Sequence, residues 1–179
     1  MSAVIAARYA RALMNLAAKD QQVDQAAQGL DLVADMLAES PRLAEALENV
    51  RATGPDKERT LQAVLDKAGV PALVATFSRY VLDKRRLRLL PDIRDQFHRL
   101  ADERLGRAKA AVTVAAPLAK EQEASLKRKL EAVSGKTITL HVTVDPAILG
   151  GAVTRIGSTV WDGSLRHQLN RIRESIVKE

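Results

Sequence analysis

The 179-residue chain holds 28 Lys/Arg against 22 Asp/Glu, a net charge of +6, and is 46% hydrophobic but only 3% aromatic. It has no cysteine, which excludes a disulfide framework and any thiolate metal site. No apolar run reaches the roughly 18 residues of a membrane-spanning helix, and Met1 to Arg11 lack a signal peptide's apolar block, so a soluble, cytoplasmic chain of one or two small domains is expected.

The first hundred residues read as helices with short joints. Ile5, Tyr9, Leu13 and Leu16 form one apolar stripe, and Ala3, Ala7, Ala10, Met14 and Ala17 a second. A helix apolar on two sides is central in its bundle or keeps one side for a partner. A second helix after Asp20 carries Ala26, Leu30, Val33 and Leu37 on one face. Ser40-Pro41 pairs a cap with proline at the first helical position and starts a third, through Leu43, Leu47 and Val50. Thr53-Gly54-Pro55 ends it, and a fourth runs through Leu61, Val64 and Leu65 to Gly69, a C-terminal cap. Pro71 opens a fifth with Leu73, Val74, Phe77, Tyr80 and Val81, which reaches the basic cluster Lys84-Arg85-Arg86-Leu87-Arg88. Pro91 begins a sixth through Ile93, Phe97 and Leu100. Short helices with brief connections predict a six-helix antiparallel bundle over residues 1–105.

Gly106 marks a change of pattern. Ala110, Val112 and Val114 alternate as a strand that Pro117 ends, and a helix from Ala119 to Val133 turns Leu126, Leu130 and Val133 to one side. Ile138, Leu140, Val142 and Val144 then alternate with Thr137, Thr139, His141 and Thr143, the period of a half-buried strand. Asp145-Pro146 stops it, Gly150-Gly151 frees the backbone for a turn, and Val153, Arg155, Gly157, Thr159 and Trp161 continue as a second strand, forming a hairpin. Asp162-Gly163-Ser164 offers oxygens to cap a last helix, in which Leu165, Leu169, Ile172 and Ile176 make one apolar stripe. The fold class is α+β: a helical bundle, then a small strand-helix-strand-strand-helix domain over 106–179.

The run Gly150-Gly151-x-Val153-x-Arg155-x-Gly157-x-x-x-x-Asp162-Gly163-Ser164-x-Arg166-x-x-Leu169 resembles the carboxy-terminal signature of the delta-subunit family of F-type ATP synthase, relatives of the mitochondrial oligomycin-sensitivity-conferring protein. The resemblance persists over nearly the full length. Arg8-Tyr9-Ala10-Arg11-Ala12-Leu13 with Ala17 is similar to the family's opening helix, and Arg86-Leu87-x-Leu89-Leu90-Pro91-x-Ile93-x-x-x-Phe97 to its joint between fifth and sixth helices. Two positions depart from the pattern: Arg85 stands where many relatives have glycine, and Ala119 where Ser or Thr would cap a helix.

The resemblance implies a mechanical role without catalytic residues, cofactor or metal. A delta subunit sits on the F1 head, its bundle gripping the amino-terminal helix of an alpha subunit, and its C-terminal domain holds the ends of the b-subunit stalk. The head is thereby held still, so that rotor torque from proton flow is coupled to ATP synthesis. The implied location is peripheral, on the cytoplasmic face of the bacterial inner membrane, touching the membrane only through the complex. Carried onto this sequence, the alpha-subunit groove lies between the first and fifth helices, using Ala6, Tyr9, Ala12 and Leu13 with Phe77, Tyr80 and Val81. Leu13, Phe77 and Val81 read singly as core, Tyr9 and Tyr80 as a wet rim. The stalk-binding face is Leu165, Leu169, Ile172 and Ile176.

Nothing in the pattern supports an enzyme or a small-molecule substrate. His98, His141 and His167 lie far apart without ligand neighbours at helical spacing, and they read as solvated or strand-surface side chains. Gly157-Ser158-Thr159 continues into a strand, whereas a phosphate loop enters a helix. The competing class is a nucleic-acid-binding module using Lys84 to Arg88 and Lys127-Arg128-Lys129. Residues 1–104 carry 16 basic against 15 acidic side chains, and residues 105–179 carry 12 against 7. Only Trp161 is aromatic in that basic half, however, while single-strand binders stack bases on aromatics. No nucleic acid is the expectation.

Overall fold

The structure is a computed structural model, and it describes residues 2–49, 52–146, 148, 150–157 and 159–165. The chain divides into two compact units between Ala101 and Asp102.

The first unit contains α1 (Ser2–Lys19), α2 (Val23–Glu39), α3 (Pro41–Glu48), α4 (Gly54–Lys67), α5 (Ala72–Asp83), a 3₁₀ turn (Leu87–Leu89) and α6 (Leu90–Arg104), whose last turn crosses the boundary. One apolar core joins them, with Leu13, Leu30, Leu47, Leu61, Leu65, Leu90, Ile93 and Phe97 fully covered. On α1 the buried residues are Ala6, Tyr9, Ala10, Leu13, Met14 and Ala17, a single stripe at i, i+3, i+4, i+7, i+8 and i+11. This corrects the two-stripe reading: the two predicted stripes merge into one buried face, while Ala3 and Leu16 are exposed. Gly29 of α2 permits close helix packing, because a Cβ there would sit 2.9 Å from Pro71 Cδ and 3.0 Å from Val74.

The helix ends follow from local chemistry. Thr53 opens α4 rather than closing α3, its hydroxyl accepting the Asp56 N–H at 3.4 Å with Pro55 in the first turn. Ser40 makes no side-chain cap, and α3 ends at Glu48; Val50 lies outside the described residues. Helices α1, α4 and α5 end alike. Gln22 N–H bonds Ala17 O at 2.8 Å, Val70 N–H bonds Leu65 O at 3.1 Å, and Arg86 N–H bonds Val81 O at 3.0 Å. In each the preceding residue takes positive φ: Gln21 at 56°, Gly69 at 66° and Arg85 at 54°. This is the Schellman ending, whose left-handed position suits glycine.

The second unit is a four-stranded sheet with one covering helix among its described residues: β1 (Arg107–Val114), α7 (Lys120–Ser134), β2 (Thr137–Val144), β3 (Ala152–Ile156) and β4 (Thr159–Asp162). The strand order is β2-β1-β3-β4. β1 and β2 run parallel, with Ala108 opposite Ile138 and Val114 opposite Val144, while β1–β3 and β3–β4 are antiparallel. The expected hairpin between β2 and the next strand is therefore absent, because β1 occupies the place between them. The run from Val153 to Trp161 is not one strand either. Gly157, at φ 59°, breaks it so that Ile156 faces Thr159 across a tight turn.

Ala110, Val112, Val114 and Ile138 form the core under Leu126 and Leu130. Val133, in the last turn of α7, and Val144, at the end of the edge strand β2, are 71% and 44% exposed. Ala119 cannot cap α7 with a side chain, yet its own N–H is satisfied at 2.9 Å by Oε1 of Gln122, the reciprocal half of a capping box.

Candidate docking site

An aromatic cluster joins α1 to α5. The Tyr9 ring meets Phe77 edge-on at 6.3 Å and Tyr80 at 6.1 Å. The turn after α5 secures it: Arg86 donates to the Tyr9 hydroxyl at 3.0 Å, and its guanidinium lies 5.6 Å from the ring centre. Lys84 Nζ stands 5.3 Å from the centre of the Tyr80 ring and 2.8 Å from the Asp83 carboxylate. Its hydrogen bond to Asp83, with that carboxylate's charge, holds the ammonium pKa above the ordinary lysine value. Leu73, Phe77 and Tyr80, at i, i+4 and i+7, are the half-covered outer stripe of α5, and Tyr80 is 53% exposed.

The predicted groove residues do not all reach this surface. Ala6, Leu13 and Val81 have no exposure at all and belong to the core behind it. Tyr9, assigned to a wet rim, is buried under Arg86 and its aromatic neighbours. Phe77, read singly as core, is only half-buried. The surface offered outward is thus Ala12, Phe77 and Tyr80, extended by Leu16 one turn after Ala12, which the pattern reading did not select for it. Arg86 and Lys84 were also missed as members of the cluster. Their signal was present, since a basic run directly after an aromatic-bearing helix can fold back on those rings.

In the second unit, Leu165 is 47% exposed, while Leu169, Ile172 and Ile176 lie outside the described residues. Here the two ends of the glycine-rich signature meet. Gly163 N–H bonds Ala152 O at 2.9 Å, and Leu165 N–H bonds Gly150 O at 3.0 Å. Gly151 has φ 83°, and a Cβ on it would fall 2.3 Å from Gly163 O, so these glycines serve backbone packing. Asp162 Oδ1 accepts the Ser164 N–H at 2.9 Å, fixing the turn before Leu165.

The basic run Lys84–Arg88 does not present a continuous charged strip. Lys84 pairs with Asp83, Arg86 with Tyr9, and Arg88 with Glu48 at 2.6 Å. Lys127 stands 3.9 Å from Glu131. His98, read as solvated, instead holds Asp31 of α2 at 2.8 Å, while His141 is exposed on β2 and His167 is outside the described residues. Among the described residues no group of three His, Asp or Glu could hold a metal ion, and no helix is long and apolar enough to cross a membrane.

The family model described as ATP synthase delta (OSCP) subunit matches residues 5–176. The chain belongs to this family. It is 38% identical over 172 residues to the ATP synthase subunit delta of Azorhizobium caulinodans, covering 96% of this chain and 92% of the relative. It is 36% identical over 174 residues to that of Myxococcus xanthus, covering 96% of each. A chain in the cryo-EM structure of the Toxoplasma gondii mitochondrial ATP synthase hexamer shares the fold, with a TM-score of 0.63 at 18% identity over 96% of this chain and 97% of that one. As a delta-family member the chain is a stator component of ATP synthase with no catalytic role of its own.

Proposed function

We propose that this delta-family chain is a two-ended coupling. Its first unit, a six-helix bundle over residues 1–105, takes the amino-terminal helix of an alpha subunit across the outer faces of α1 and α5. Its second unit, residues 106–179, takes the carboxy-terminal ends of the b subunits through the segment that starts at Leu165. The chain is then held at the cytoplasmic face of the membrane only through the complex.

The observation that carries this reading is Tyr80. A large ring left 53% exposed and braced by Tyr9, which Phe77 meets in turn, is a preorganised contact for an amphipathic helix. Ala12 and Leu16, one turn apart on α1, continue the surface beside Tyr9, and Ala12 is small enough for a helix backbone to approach closely. A calorimetric titration with an alpha-subunit amino-terminal peptide, run at two salt concentrations beside an oligonucleotide, tests it. The peptide binds at both salts. A flat titration with the peptide, or oligonucleotide binding that collapses as salt rises, sinks the reading in favour of nucleic acid.

A further inference from the structure

We propose that the cleft between α3–α4 and the turn after α5 binds a phosphate-bearing small anion through Lys57 and Arg85. Neither residue belongs to the docking surface above, although Tyr80 of that surface borders one of the hollows that form the cleft.

Two hollows meet here. One of ≈ 260 Å³ is lined by Leu47, Leu82 and Leu87 below and by Lys57, Arg85 and the Glu48–Arg88 pair above. The second, of ≈ 610 Å³, shares Lys57, Leu82 and Arg85 and adds Arg79, Tyr80, Glu58 and Asp83. Most of the acids are already engaged: Glu48 is held by Arg88 at 2.6 Å and Asp83 by Lys84 at 2.8 Å. Arg79 donates only to Thr76, at 3.3 Å. Among the described residues Lys57 and Arg85 have no ion-pair partner, so the wall common to both hollows carries two uncompensated cations, with Glu58 the one acid left unpaired there.

The backbone points the same way. Arg85 occupies the left-handed position that ends α5, with φ 54°. A non-glycine residue there costs about 1 kcal/mol, as it does at Gln21 in the matching ending of α1. The side chain placed by that conformation borders both hollows. Lysine and arginine together suit a phosphoryl group, the guanidinium as a fork and the ammonium as a point charge, and the leucine floor would take an organic remainder.

The test uses the full chain and pyrophosphate, followed by calorimetry at low salt, with phosphatidylglycerol vesicles as a second arm to separate a free phosphate from a lipid headgroup. We expect one probe to bind, with Lys57→Gln and Arg85→Gln each weakening it about tenfold, the scale of a charged hydrogen bond. Arg8→Gln on the exposed side of α1 leaves binding unchanged, and circular dichroism verifies that each variant is folded. Binding of neither probe, or binding by either that both folded variants keep within about twofold, overturns the proposal.

Discussion

Arg86 and Tyr9, 77 residues apart in the chain, make a part-buried hydrogen bond of 3.0 Å with the guanidinium resting over the phenol ring. It ties the turn after α5 to the middle of α1. Tyr9→Phe removes the acceptor but keeps the ring, so we expect a loss of about 1 kcal/mol, read as a melting shift of a few degrees with the helical signal intact. A loss of the fold would show that the hydroxyl holds more than this one contact. Tyr9→Asp, by contrast, places a charge among buried rings and unfolds the first unit.

Tyr80 is the converse case. Its ring is 53% exposed, so Tyr80→Ala should leave thermal stability within about 0.5 kcal/mol of the parent. The same change removes the most accessible aromatic of the α1–α5 surface, and alpha-subunit peptide affinity should fall about tenfold, since aromatic anchors dominate interfaces. Unchanged affinity would move the docking surface elsewhere.

The ends of α1 and α5 predict a gain. Arg85→Gly relieves a left-handed residue at φ 54°, and Gln21→Gly one at 56°. The relief of about 1–2 kcal/mol exceeds the added freedom of glycine in the unfolded chain, about 0.5–1 kcal/mol. Each should therefore stabilise the first unit by some tenths to about 1 kcal/mol, measured by denaturant midpoint. A lowered midpoint for Arg85→Gly would show that the guanidinium contributes contacts worth more than the strain.

Much of this was legible beforehand. Helix positions in the first unit follow from 3.6-residue periodicity, and Gly69 and Gly106 were read correctly as breaks because glycine alone takes positive φ freely. What escaped was decided by contacts distant in sequence. Alternation marks β2 and β3 as strands but says nothing of which strands pair, so β1's place between them was hidden. Gly157 fits the odd-numbered alternation yet breaks the strand, and the turn reverses the parity, so that Thr159 and Trp161 share a face with Ile156 and Thr154 rather than with Val153 and Arg155. On α1 both expected stripes supply core residues, Tyr9 and Leu13 from one and Ala10, Met14 and Ala17 from the other. With alanine on nearly every side, however, composition did not show that they form one face or that Ala3 and Leu16 are exposed. In the docking site, sequence found the aromatic rings but not their depth, which Arg86 sets by covering Tyr9.

Ser78 lies in the middle of α5 with no exposure, and its hydroxyl has no hydrogen-bond partner. Burial without a partner penalises the group, and alanine is the better helix former. Ser78→Ala should raise stability by about 1 kcal/mol, a melting increase of about 4–8 °C for a unit this size. No change would indicate that the hydroxyl bonds back to its own helix.

Gly151 joins the two ends of the family signature. At φ 83° it sits where side chains are strained, and an added Cβ would lie 2.3 Å from the Gly163 carbonyl oxygen and 3.0 Å from Ser164 Cα. Both obstacles are backbone, so neither can swing aside as a flexible side chain would. Gly151→Ala should therefore cost about 3 kcal/mol or more, separating β3 from the turn that Gly163 N–H makes on Ala152 O. The second unit has a small core of Ala110, Val112, Val114 and Ile138 with few reserves. Hydrogen exchange should consequently accelerate across β3 and β4 while α1 to α5 keep their protection. Equal acceleration in both units would show that they unfold together, and unchanged exchange in β3 would mean that the junction tolerates a side chain.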